Sequence, residues 1–175
     1  MRDPRDCGYH IAGEEVSNKV LVFGYGSLIN TRSRRRTARD CGCWRADLTG
    51  YSRGWEVVSF RETFLGISSN VDGVVNGVLF KMPGAQLKQL DRREYHYNRV
   101  RVHPSQVRLA QDAPLNLPIY TYVTRNPQVA TAARPVTKSY VQICLSGCAE
   151  WEPGMADEFI RTTRYWPAYK DQLLS

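Results

Sequence analysis

Residues 46 to 81, ADLTGYSRGWEVVSFRETFLGISSNVDGVVNGVLFK, decide the fold class. Ala46 to Tyr51, Trp55 to Phe60, Thr63 to Ser68 and Val74 to Lys81 are rich in β-branched and aromatic residues and are punctuated by glycines, which reads as a run of short antiparallel strands. Upstream, Lys19-Val20-Leu21-Val22-Phe23 is a buried-strand signal that stops at Gly24-Tyr25-Gly26-Ser27, so a strand feeds a glycine-bearing loop. Downstream, Pro83-Gly84-Ala85 opens a helix ending near Glu94. Val100 and Val102 alternate with Arg99 and Arg101 in a half-buried strand, and Leu117 to Val123 forms another. Two helices follow. One runs from about Ser139 to Ala149 with Tyr140, Val141, Cys144, Leu145 and Cys148 on one face, and one follows Pro153 through Met155, Phe159 and Ile160. A strand-rich centre with peripheral helices predicts an α+β protein whose strands curl into a small, mixed, partly closed β-barrel, because a sheet of many short strands twists and needs its edges covered.

A chain of 175 residues supports one core, and the reading is an N-terminal extension over residues 1–18 followed by a single domain over 19–175. At 42% hydrophobic and 23% charged, the composition excludes disordered, collagenous and repeat-built chains. No segment reaches membrane-spanning length without a charge. Met1-Arg2-Asp3-Pro4-Arg5-Asp6 carries charges where a secretory signal places its apolar stretch, so the expected address is cytoplasmic. Five cysteines without such a signal argue against a disulfide framework.

Glu94 is the most informative position. At about 100° per residue, Leu87 and Leu90 define an apolar stripe whose centre nearly coincides with Glu94, so its carboxylate points inward. Arg92 falls on the opposite side and Arg93 roughly a quarter turn away, both poorly placed to neutralise it. Burial then raises its pKa towards that of a general acid/base working near neutrality. The alternative is a frayed helix end, with Glu94 in solvent or paired with an arginine of the next strand. The second constellation is Gly24-Tyr25-Gly26-Ser27-Leu28, where glycines permit positive φ and let backbone amides converge on an anion, a substrate carboxylate or a developing oxyanion. The plainer alternative is a tight turn. The stretch lacks the third glycine of a dinucleotide fingerprint and the Gly-Lys-Ser/Thr of a phosphate loop.

Twenty-four basic residues against seventeen acidic leave a net +7, most of it arginine, which nominates an acidic partner. Arg32, Arg34, Arg35, Arg36 and Arg39 cluster after the glycine loop. With no aromatic interleaving and no RNA-recognition or zinc-finger signature, that run reads as a solvated basic face, and the partners expected include neither nucleic acid nor membrane. Cys41-Gly42-Cys43 and Cys144-x-x-x-Cys148 are poorly spaced for zinc: Cys144 and Cys148 read as core, Cys41 and Cys43 as reduced thiols near the surface. His10, His96 and His103 are isolated, so no metal or other cofactor is expected.

Together, Val22-Phe23-Gly24-Tyr25-Gly26-Ser27-Leu28-Ile29 and Leu90-Asp91-Arg92-Arg93-Glu94 resemble the γ-glutamylcyclotransferase superfamily, in order and in distance. The loop is more similar to that of the ChaC-type, glutathione-degrading branch than to the Tyr-Gly-Ser-Asn loop of the γ-glutamyl-amino-acid branch. Asn30 departs from the tryptophan of many ChaC-type proteins, and Tyr95-His96-Tyr97 from their glycine-bearing sequence. The resemblance extends over about Val20 to Thr163, through Val75-Asn76-Gly77-Val78-Leu79-Phe80 and the helix at Tyr140. It implies a small β-barrel flanked by helices and an enzyme that releases 5-oxoproline from a small γ-glutamyl peptide or amide, glutathione being the first candidate. It further implies that Glu94 shuttles the proton and that Tyr25, Gly26, Ser27 and Leu28 receive the γ-glutamyl group. Tyr97, three residues past Glu94, either borders the pocket or is a strand aromatic packed in the barrel. Because the substrate's own α-amine attacks its γ-carbonyl, no protein nucleophile, triad or metal is required. Two other readings stay open: related amide-bond chemistry on another γ-glutamyl-tagged metabolite, and a non-enzymatic basic module binding anions or nucleic acid.

Overall fold

The computed structural model describes residues 19–39 and 42–175. The N-terminal extension expected over residues 1–18, with Cys7 and His10, lies outside the described residues, as does Cys41. The described chain is built on one six-stranded mixed sheet in the order β4-β6-β1-β3-β2-β5. The strands are β1 (Lys19–Gly24), β2 (Cys43–Val58), β3 (Thr63–Pro83), β4 (Tyr97–Val102), β5 (Val107–Leu109) and β6 (Ile119–Thr124). The helices are α1 (Thr31–Arg35), α2 (Leu87–Arg93), α3 (Lys138–Cys148), α4 (Met155–Thr162) and α5 (Lys170–Leu174). The fold is thus α+β, with a sheet that does not close on itself, in keeping with a partly closed barrel. Among the described residues no helix is long and apolar enough to cross a membrane.

The apolar run Val20 to Phe23 becomes the sheet's centre: every residue of β1 after Lys19 is buried, as an apolar run without alternation demands. β1 pairs antiparallel with β3 and parallel with β6, Leu21 opposite Ile119. The four short strands read from residues 46 to 81 are instead two long ones. β2 and β3 pair from Cys43 opposite Phe80 to Val58 opposite Thr63, interrupted where Gly50, at φ 87°, stands opposite a bulge of β3 between Ser69 and Val74. The glycines and polar residues that read as strand ends are therefore a bulge that bends a continuous hairpin. Its tip is a tight turn in which the Ser59 N–H donates to the Glu62 carbonyl at 2.9 Å.

The helix expected from Pro83 is shorter, since β3 runs to Pro83, a 3-10 turn covers Gly84–Gln86, and α2 ends at Arg93 with Glu94 as its C-cap. α3 and α4 match the two closing helices to within a residue or two, and α5 is a third. β5 and α1 also lie where no element was expected, both too short to carry a periodic signal.

Candidate active site

The chain leaves the buried end of β1 at Gly24, turns at Gly26, whose carbonyl accepts from the Ile29 N–H at 3.0 Å, and enters α1 at Asn30. Asn30 caps that helix by accepting from the Ser33 N–H at 2.8 Å. Neither Gly24 nor Gly26 has positive φ, contrary to expectation; both are there for close approach. A Cβ on Gly24 would stand 2.6 Å from that of Leu28, and one on Gly26 would stand 3.1 Å from the Tyr140 hydroxyl.

Two buried arginines hold the loop from behind. Arg34 departs from the solvated face read for its cluster: it is 1% exposed and donates to the carbonyls of Leu28 at 2.8 Å and Ile29 at 3.0 Å, while Arg32, Arg35, Arg36 and Arg39 are exposed. Arg53 of β2 is fully buried and donates to the Tyr25 carbonyl at 3.1 Å, the Asn76 carbonyl at 2.8 Å and the Asn76 side chain at 2.7 Å. Its remaining donors reach Thr163 Oγ1 at 2.9 Å, Thr162 Oγ1 at 3.0 Å and the Phe159 carbonyl at 3.2 Å, tying loop and sheet to α4. Burial lowers its pKa to about 10, so it stays charged at neutrality.

In front of the loop lies a small cavity that opens to solvent. Tyr25, Gly26, Ser27, Leu28, Glu94 and Tyr97, the six positions singled out in the sequence, all line it. Phe23, Leu65, Tyr122 and Tyr140 complete the wall. Tyr140 belongs to α3, and its inward-facing hydroxyl among apolar positions was the one available signal of a polar wall there. Its ring is held edge-on by Phe64, centroids 4.9 Å apart, and by Trp55 at 5.9 Å. Ser27 lies beside the Tyr140 hydroxyl, and its side chain and backbone offset part of the burial that raises that phenol. The Tyr25 hydroxyl donates to the Tyr122 carbonyl and the Tyr97 hydroxyl to the Leu65 carbonyl, each at 2.6 Å. Tyr122 in turn donates to Asp91 at 2.9 Å. Tyr97 is thus both a packed strand aromatic and a wall of the cavity.

Glu94 enters this tyrosine cage with a side chain only 15% exposed. Desolvation pushes its pKa up from 4.5 to about 7, opposed by the Arg93 guanidinium. Arg93 is not a quarter turn out of reach as helical phase suggested. Because the helix ends there, its Nε comes within 3.3 Å of Glu94 Oε1, the only polar contact of that carboxylate among the described residues. The surrounding phenols move the other way from usefulness as bases: burial raises Tyr25, Tyr97, Tyr122 and Tyr140 far above neutrality. Cys144 and Cys148 are core residues, as expected, and burial raises both thiols. Glu94 is the one group on the cavity wall that changes charge near pH 7.

Solved structures share this fold. YkqA from Bacillus subtilis superposes with a TM-score of 0.62 at 19% identity over 83% of this chain, and the chain spans 54% of that protein's length. A gamma-glutamyl cyclotransferase superposes at 0.64 and 16% identity, covering 89% of this chain and 96% of its own. A yeast gamma-glutamyl cyclotransferase specific to glutathione superposes at 0.53 and 15% identity, covering 90% and 94%. At such identities the likeness is one of fold. No curated protein matches the sequence. The family model for gamma-glutamyl cyclotransferase, AIG2-like proteins matches residues 22–142, from β1 through the glycine loop and Glu94 to Tyr140, and the chain belongs to that family.

Proposed function

We propose that this chain is a γ-glutamylcyclotransferase in which Glu94 carries the proton. The observation that supports the reading best is a buried carboxyl group, its pKa pushed up to about 7 by desolvation, lining the same cavity as Tyr25 to Leu28. In a γ-glutamyl compound the α-amine lies within five-membered-ring distance of its own γ-carbonyl, so a site that folds the substrate needs no protein nucleophile, and intramolecular geometry can remove about 7–11 kcal/mol of the barrier.

Glu94 as carboxylate takes a proton from the α-ammonium, and the freed amine attacks the γ-carbonyl carbon. The tetrahedral oxyanion is received by the backbone N–H groups of the Tyr25 to Leu28 loop, which lines the same cavity, donors of a kind worth about 2.7–4 kcal/mol each when preorganised. Protonated Glu94 returns its proton to the departing nitrogen, the C–N bond breaks, the ring nitrogen passes its second proton to the released amine, and 5-oxoproline and an ammonium leave. A base that must be ionised to start and protonated to finish works best with a pKa near the working pH.

Glutathione is the first substrate to try, since a fold neighbour is specific to it; other γ-glutamyl peptides and amides follow. The test is a panel of γ-glutamyl compounds scored for 5-oxoproline by mass spectrometry, on the purified chain and on Glu94→Gln. Release by the wild type and none by the variant is expected; a fully active variant removes the mechanism. Release of some other product from a γ-glutamyl compound replaces cyclisation with a related amide-bond reaction.

A further inference from the structure

Among the described residues Arg93 is the one cation that touches the acid; its terminal nitrogens make four hydrogen bonds and its Nε lies at ion-pair distance from Glu94. Nη1 donates to the Ser33 carbonyl at 2.7 Å and Thr37 Oγ1 at 3.2 Å. Nη2 donates to Ser33 Oγ at 2.9 Å and Ser27 Oγ at 3.1 Å, and Nε faces Glu94 at 3.3 Å. The Nη1 contacts alone would tether α1 to α2. The other edge of the guanidinium bridges Glu94 to Ser27, which lines the cavity with it. Acid and substrate loop are thus referred to a single rigid plane, an arrangement that a lysine's point charge cannot reproduce.

We propose that Arg93 is a positioning residue, locking the Glu94 carboxylate at a fixed place relative to Ser27 and setting the pH at which that carboxylate takes a proton. The inference rests on the assignment of Glu94 as proton carrier. The groups facing Glu94 from the other elements are Tyr25 after β1, Tyr97 of β4, Tyr122 of β6 and Tyr140 of α3, all phenols held neutral by burial. Asp91, on the same helix, is occupied by Arg99 at 2.8 Å and by Tyr122. His96 sits under the influence of Arg125, which with burial lowers its pKa. Arg93 is left as the lever on the carboxylate. Removing it lets desolvation act unopposed, so the protonated acid is favoured and the ionised base appears only at higher pH.

The experiment compares wild type, Arg93→Gln and Arg93→Lys in the full chain by two measurements: the pH profile of 5-oxoproline release, and the 13C carboxyl titration of glutamate-labelled protein, the Glu94 signal being the one missing in Glu94→Gln. In Arg93→Gln the acid limb of kcat/KM and the Glu94 titration both move up by about one unit or more. There kcat falls roughly 10–100-fold with little change in KM, as expected of a misplaced acid. Arg93→Lys returns the titration towards wild type and recovers only part of kcat. An Arg93→Gln protein that is less stable but titrates as wild type overturns the proposal. So does a folded Arg93→Lys with wild-type kcat, which remains decisive should Arg93→Gln not fold. A titration that depends on Arg93 in a wild type releasing no 5-oxoproline would remove the reaction assigned above while leaving the coupling of Arg93 to Glu94 in place.

Discussion

Arg53 and Glu94 are both charged, both largely withdrawn from water and both packed against the loop of Tyr25 to Leu28, yet they end in opposite conditions. Arg53 makes six hydrogen bonds to carbonyl, amide and hydroxyl oxygens and keeps its charge at neutrality. Glu94 has one ion-pair contact at 3.3 Å and stands at the edge of neutralisation near pH 7. Desolvation penalises both; what separates them is how many partners replace the lost water. A saturated charge becomes scaffold, whereas an undersupplied one becomes a proton carrier.

The sharpest way to break that contrast is to remove the carrier. Glu94→Gln should lower 5-oxoproline release by roughly 10²–10⁴-fold, the usual range for a positioned acid/base, with the chain still folded by circular dichroism. Removing the scaffold should act on stability instead. Arg53→Met takes the donors from the buried Tyr25 carbonyl and from the Asn76 carbonyl and side chain, and should cost about 3 kcal/mol in urea unfolding, with activity lost in proportion to loosening of the loop.

The pH dependence of stability separates the two charges further. A carboxyl whose folded pKa is about 7 against an ordinary 4.5 is held more tightly as the acid in the folded state. The stability it contributes is full below 4.5 and is lost as pH rises towards 7. Relative to Glu94→Gln, wild type should therefore weaken across that window by on the order of 2–3 kcal/mol and run parallel to the variant above it. Melting curves at pH 4.5, 6 and 8 measure this, and a constant difference at all three would place the Glu94 carboxyl in an ordinary, solvated setting. The smallest effect is expected at Tyr97→Phe, which orphans the Leu65 carbonyl and should cost about 1 kcal/mol of stability with less than a tenfold change in turnover.

Much of this was legible in the chain itself, for identifiable reasons. The inward direction of Glu94 follows from the phase of Leu87 and Leu90, and that survives although the helix stops one residue earlier, because a C-cap still continues the helical turn. The strand before the loop is an uninterrupted apolar run, which only a central strand tolerates. Less visible were the two long strands, since a bulge at Gly50 and a hairpin end use the same residues. Least visible were Arg34, Arg53 and Arg93. An arginine beside other arginines reads as surface, and its burial depends on carbonyls brought up from distant segments, Arg53 meeting Phe159 across more than a hundred positions.

The parallel pairing of β1 with β6 carries a consequence for how the protein comes to work. Leu21 and Ile119 pair across the whole intervening hairpin and α2, and pairings of such high sequence separation are the ones expected to form slowly. Tyr122, on β6, reaches the wall through that union. During renaturation, strand content read by far-ultraviolet circular dichroism should therefore recover ahead of turnover, with turnover acting as a clock for the last long-range closure.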